Sequence, residues 1–144
     1  MRGDLRLPDE LVERLCAAAR AVQRQAYAPA SKFRVGAAVL AADGRMFVGC
    51  NVENASFGLT ICAERAAVCA AVAGGARRLG AVAIATPLAR PARPCGACRQ
   101  VLAEFGPKMA VLLVGRGRSL CEHTTLDALL PEQFTFADVR RGRR

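Results

Sequence analysis

Two short apolar runs constrain the fold most. They are Leu79-Gly80-Ala81-Val82-Ala83-Ile84-Ala85 and Ala110-Val111-Leu112-Leu113-Val114. Each is apolar without alternation, strand-length, and bounded by turn residues, which reads as a buried strand. Between them lies Pro87-Leu88-Ala89-Arg90-Pro91-Ala92-Arg93-Pro94, a stiff loop, then a helix predicted over Gly96 to Phe105 and stopped by Gly106-Pro107. Upstream, Leu11, Leu15, Ala18, Val22 and Ala26 recur at helical steps, so a helix is predicted from Pro8 to Tyr27. Phe33 to Leu40 and Met46 to Cys50 read as two strands around an Asp43-Gly44 hairpin turn. Thr60 is expected to cap a helix running to Ala73, ahead of Gly74-Gly75. Leu120 to His123 reads as a last strand, and Thr125 opens a short helix ended by Pro131.

The order is α-β-β-α-β-α-β-β-α. Helices interleaved with buried strands predict an α/β protein with one mixed five-stranded sheet. With 53% hydrophobic residues, no dividing linker and no repeat, residues 1–144 are expected to form a single domain. No apolar run is long enough to span a membrane and no signal core follows the N-terminal arginines, so a cytoplasmic location is expected.

The net charge of +9 invites a nucleic-acid reading. The arginines are spread out, however, apart from the tail Arg140-Arg141-Gly142-Arg143-Arg144, and one tyrosine and no tryptophan make a poor stacking platform. A soluble basic surface with a frayed tail is the better reading, and nucleic acid is not expected as the substrate.

The odd count of seven cysteines argues for metal binding rather than a disulfide framework. Cys95 and Cys98 stand three residues apart at a predicted helix start, and Cys62 stands near another, followed by Glu64. Helix N-termini favour thiolates. Two such ends aimed at one spot would hold three thiolates around a zinc ion, leaving the fourth tetrahedral position for water. Glu64 would then move protons. Residues two apart in a regular helix point to roughly opposite sides, so Cys62 and Glu64 can share a site only beyond the helix end. Other readings of the residues stand beside this one. The pair could be a redox dithiol, His123 could close a structural Cys3His site, or all the cysteines could be structural. Cysteines 16, 50, 69 and 121 are expected to be small buried apolar residues.

The motifs "CAER" at 62–65 and "PCGACRQVL" at 94–102 resemble the zinc nucleoside deaminases. "SKFRVGAAVL" at 31–40, "GCNVENASFG" at 49–58 and "LLPEQF" at 129–134 are similar to the small cytidine deaminases. The resemblance implies a three-layer α/β/α fold, one zinc per chain on Cys62, Cys95 and Cys98, and Glu64 as proton shuttle. It further implies that Asn51 and Glu53 bind the ribose hydroxyls, Phe33 packs on the pyrimidine, and the Ala63 N–H donates to the base carbonyl. Phe134 would reach a neighbouring subunit's site in a homotetramer. Arg65, hydrogen-bonding the sulfurs, would offset the charge of three thiolates. The implied reaction converts cytidine or deoxycytidine to the uracil nucleoside and ammonia, in pyrimidine salvage. Ala30 and Phe57 stand where the family often has tyrosine, which bears on sugar specificity. Within the superfamily the alternative is a deaminase of a cytosine-containing antibiotic of the blasticidin S type. Outside it, the alternative is a non-catalytic zinc-stabilised protein that binds nucleic acid.

Overall fold

The computed structural model describes residues 6–117 and 121–142. Five strands, β1 (Gly36–Ala41), β2 (Met46–Cys50), β3 (Leu79–Ala85), β4 (Ala110–Val114) and β5 (Cys121–Thr125), form one sheet in the order β2-β1-β3-β4-β5. The helices are α1 (Asp9–Gln23), α2 (Ala63–Ala73), α3 (Gly96–Phe105), α4 (Leu126–Leu129) and α5 (Phe136–Arg141), with a 3₁₀ turn at Phe57–Leu59. β3 and β4 run parallel, with Ala81 opposite Ala110, and α3 lies on the crossover between them. The other pairings are antiparallel, so the sheet is mixed.

Alternation along the strands divides the side chains between two cores. Ala37, Val39, Val82, Ile84, Val111 and Leu113 point to α2, α3 and α4, where Ala67, Val68, Leu102 and Leu126 meet them. Ala38, Ala81, Ala83 and Leu112 point the other way and receive Leu15 and Ala19 of α1. The α/β/α layering expected from the resemblance is thus present. The small side chains on the α1 face let that helix come close. A Cβ on Gly36 would lie 2.1 Å from the Ala19 carbonyl oxygen, so only glycine fits there. On the other face, a Cβ on Gly49 would lie 2.3 Å from the Ala67 backbone nitrogen and 2.7 Å from the Ala63 oxygen. Gly49 therefore lets the first turns of α2 rest directly on β2.

Several sequence expectations are corrected. α1 stops at Gln23, because Tyr27 donates its N–H to the Asn51 carbonyl and accepts from the Glu53 N–H, making a bridge to the strand-like segment at Val52. Strand β1 starts at Gly36 and not Phe33. The Asn51 side chain takes the Val35 N–H at 2.8 Å and donates to the Phe33 carbonyl at 2.8 Å, so both groups leave the ladder. Thr60 does not cap α2: its hydroxyl donates to the Phe57 carbonyl at 2.6 Å, and Cys62 is the N-cap. The last strand begins at Cys121 and runs on to Thr125, while Leu120 lies outside the described residues.

An unexpected helix, α5, runs into the first residues of the basic tail, and its start is fixed by Asp138 accepting the Thr135 N–H and hydroxyl, both at 2.8 Å. Of the tail, Arg143 and Arg144 lie outside the described residues. The four remaining cysteines are not buried: Cys69 is exposed, and Cys16, Cys50 and Cys121 are half-buried. Among the described residues, no helix is long and apolar enough to cross a membrane.

Candidate active site

The three sulfurs of Cys62, Cys95 and Cys98 lie within 4.8 Å of one another. The local backbone explains how. Cys62 and Cys95 are the N-caps of α2 and α3, both extended, with ψ of 153° and 166°. Their carbonyls accept the first intrahelical bonds, from Ala66 and Arg99, each at 3.0 Å. The preceding amides of each helix are the ones an α-helix leaves without intrahelical acceptors, and they carry its partial positive charge. Cys98 sits in the first turn of α3 and is fully buried. Because Cys62 is extended and not helical, the two-residue objection to Glu64 sharing its site falls away: Glu64 belongs to the first turn of α2 and is buried.

Burial and like charges act together at the cluster. Burial, then the charges of Glu64 and Cys62, push the Cys98 thiol well up. Burial also opposes ionisation of Cys95, but hydrogen bonds from the Cys98 backbone and from the Cys98 and Cys62 thiols outweigh it, and Cys95 falls below the ordinary thiol range. Burial pushes the Glu64 carboxyl up against smaller opposing contributions from its own backbone, Cys98 and Arg65. Arg65 donates to Cys62 Sγ at 3.4 Å and to the Thr60 carbonyl at 3.1 Å. Its charged state is favoured first by the Cys62 hydrogen bond, and its buried Nε finds no acceptor among the described residues. The donor set suits zinc: three thiolates at a Zn–S distance of about 2.3 Å require sulfurs roughly 3.8 Å apart, which the cluster can meet with small adjustments.

Beside the thiols opens a cavity of about 220 Å³, walled by Phe33, Asn51, Cys62, Ala63, Glu64 and Thr86 among others. It is room for one small ring system next to a carboxyl group and a metal position. A larger cavity of about 720 Å³ lies between α1 and β5, lined in part by Leu7, Val12, Leu112 and His123. His123 is on that side of the sheet and is not among the residues that could share a metal with the three cysteines. The Cys3His alternative therefore has no geometric support.

A family model described as "Cytidine and deoxycytidylate deaminase zinc-binding region" matches residues 9–114. The chain belongs to the cytidine and deoxycytidylate deaminase family. It is 46% identical over 129 residues to the cytidine deaminase of Sporosarcina psychrophila, covering 89% of this chain and 94% of that one. The crystal structure of cytidine deaminase from Burkholderia pseudomallei is 44% identical, with a TM-score of 0.81 over 89% of this chain and 100% of that chain. That of Mycobacterium tuberculosis cytidine deaminase gives 40% identity and a TM-score of 0.72, over 90% of this chain and 99% of that one.

The residues that the family resemblance assigned to substrate fall into three groups. Phe33, Asn51 and the Ala63 backbone line the cavity. Asn51 is already half committed, since its side chain orders the Phe33–Val35 backbone as described above. Glu53 does not line the cavity. It is 2% exposed and its carboxylate accepts the Ser31 N–H and hydroxyl. The Ser31 hydroxyl is the main cause that holds this carboxyl below its ordinary range. Phe134 is 65% exposed and does not line its own chain's cavity, and its carbonyl accepts the Gln100 amide at 2.9 Å.

Two residues were missed by the reading of the sequence. Thr86, at the C-terminal end of β3, is buried in the cavity wall and its hydroxyl accepts the Ala92 N–H at 3.4 Å. A polar residue closing a buried strand was the available signal. Arg99 donates to the Pro94 and Leu129 carbonyls, both at 2.7 Å, and so fastens the proline loop and α4 to the start of α3. Its position directly after Cys98 was the only hint.

Proposed function

We infer that this chain hydrolyses the C4 amino group of cytidine and deoxycytidine, releasing ammonia. The observation that carries the reading is the three-thiol cluster with buried Glu64 and Phe33 around one small cavity. Zinc held by Cys62, Cys95 and Cys98 supplies the Lewis-acid chemistry that makes water a nucleophile at neutral pH. Glu64 carries the protons: it takes one from the attacking water and gives it to N3 of the base, then takes the second from the resulting C4 hydroxyl and delivers it to the departing amine. Its raised pKa suits a group that must hold and release a proton in each turnover. The Ala63 N–H, at the start of α2 beside the cavity, donates to the base carbonyl in this reading. Phe33 offers its ring to the pyrimidine. Asn51 holds a ribose hydroxyl with its remaining hydrogen-bonding capacity, and Glu53 serves the sugar only after a shift of its bond with Ser31. Arg65 draws charge from the sulfurs.

In this reading residues 1–144 act as one domain in the cytoplasm, as a nucleoside enzyme of pyrimidine salvage, and as a homotetramer. Phe57, Leu59, Ile61 and Phe134 are 56%, 67%, 43% and 65% exposed, and exposed apolar groups of this size support burial against another copy. Phe134 then reaches a neighbour's site. Nucleic acid is not the substrate in this reading, since spread arginines and a single tyrosine offer neither a basic track nor a stacking platform.

The test is a spectrophotometric assay of cytidine turnover with and without a metal chelator, on protein whose sedimentation is measured at low micromolar concentration. Chelator-sensitive turnover by an oligomer is expected. Absence of turnover by zinc-loaded protein would refute the reading. Efficient deamination of single-stranded DNA or RNA would refute the nucleoside assignment.

A further inference from the structure

Two thiols outside the site face each other. Cys16 of α1 and Cys121 of β5 bring their sulfurs to 3.5 Å, across 105 residues of chain. A disulfide needs about 2.05 Å, so closure requires the sulfurs to approach by roughly 1.5 Å. A cavity of about 230 Å³, lined by Val12, Glu13, Cys16, Ala17, Arg20 and Cys121, gives a small reagent access to both. Two basic side chains flank the pair: Arg20 is in the cavity wall and donates to the Gly115 and Gly117 carbonyls of the turn after β4, and His123 lies two residues along β5.

We propose that Cys121 and Cys16 are an oxidant-responsive thiol pair, in which a peroxide oxidises Cys121 and Cys16 resolves it to a disulfide tying α1 to β5. Hydrogen bonding from Cys16, then the charge of His123 and its hydrogen bond, with Arg20 adding a smaller share, outweighs burial and brings the Cys121 thiol down to about 6. The same contact, with burial, pushes Cys16 up, and Cys121, with His123 two residues along β5, is the thiol that attacks first. In the first step the Cys121 thiolate attacks one peroxide oxygen. An S–O bond forms, the O–O bond breaks, and the leaving oxygen is protonated to water. In the second step the Cys16 sulfur attacks the sulfenic acid: the S–S bond forms, the S–O bond breaks, and a second water leaves. Two thiols are oxidised by two electrons and one hydrogen peroxide is reduced.

The experiment treats zinc-loaded protein with one equivalent of hydrogen peroxide, alkylates the remaining thiols after denaturation, and maps the peptides. A Cys16–Cys121 cross-linked peptide, removed by dithiothreitol, is expected. In Cys16→Ser, and in Cys16→Ala as a second background, Cys121 should stop at the sulfenic acid and be captured by dimedone. The proposal is overturned if both cysteines are recovered alkylated while other thiols have oxidised. It is equally overturned if Cys121→Ser leaves Cys16 oxidised at the wild-type rate.

Discussion

On one side of the sheet, Cys62, Cys95 and Cys98 stand at two helix N-termini. On the other, Cys16 and Cys121 meet between the middle of a helix and an edge strand. The residue type is the same, and the backbone around it differs. At the helix ends, Cys62 and Cys95 cap α2 and α3 and so bring three thiols together, with Arg65 bonded to Cys62 Sγ and buried Glu64 in the first turn of α2. Between α1 and β5 there are two thiols beside Arg20, and no third cysteine, histidine or carboxylate completes a metal-holding group there among the described residues. Three thiols at two helix starts suit a metal, whereas a pair between a helix and a strand suits the redox chemistry proposed above.

The sharpest way to break this comparison is to remove one thiol from each side. Cys98→Ser should abolish zinc binding and turnover together, since two thiolates and a hydroxyl do not make the site, and elemental analysis beside the cytidine assay reads both. Cys16→Ser should leave both at the wild-type level. A smaller effect separates the two glycines. Gly49→Ala pushes the start of α2 off β2 and should lower zinc occupancy and turnover. Gly36→Ala crowds α1 and should cost about 1–3 kcal/mol of stability, the usual range for overpacking, with the zinc retained. Chemical denaturation and zinc content on both variants check this. The smallest effect is Arg65→Ala. Loss of a group that hydrogen-bonds a metal ligand typically costs 10–100-fold (an order-of-magnitude range), so turnover should fall about that much while the three thiols still bind the metal.

The elements legible in the sequence were those set by local pattern. β2, β3, α3 and β4 begin and end where their apolar runs and flanking glycines and prolines place them. The segment from Arg24 to Val35 was misread because its backbone partners are distant: Tyr27 pairs with the segment at Asn51 to Glu53, and the Asn51 side chain takes the place of a strand neighbour. α5 was hidden by the basic composition of the tail, although Thr135 and Asp138 carry a capping signal. In the site, the three thiols and Glu64 were legible because their spacing is itself the chemistry. The engagement of Glu53 by Ser31, 22 residues away, and the anchoring by Arg99 were not, since both depend on how loops meet in space.

The central claim is that Glu64 is a proton carrier beside a metal it does not ligate. Glu64→Gln tests it most directly, with zinc content, cytidine binding and turnover measured on one preparation. Gln keeps the size and hydrogen-bonding shape and loses the transferable proton. General acid–base catalysis is worth roughly 10²–10⁴-fold, and Glu64 serves more than one transfer, so turnover should fall by about 10⁴-fold or more. Zinc should stay at one per chain, and cytidine should still bind through Phe33 and Asn51. Turnover within about tenfold of wild type, too small a loss for this role, would contradict the account. Loss of the zinc would contradict it too, by making Glu64 a ligand.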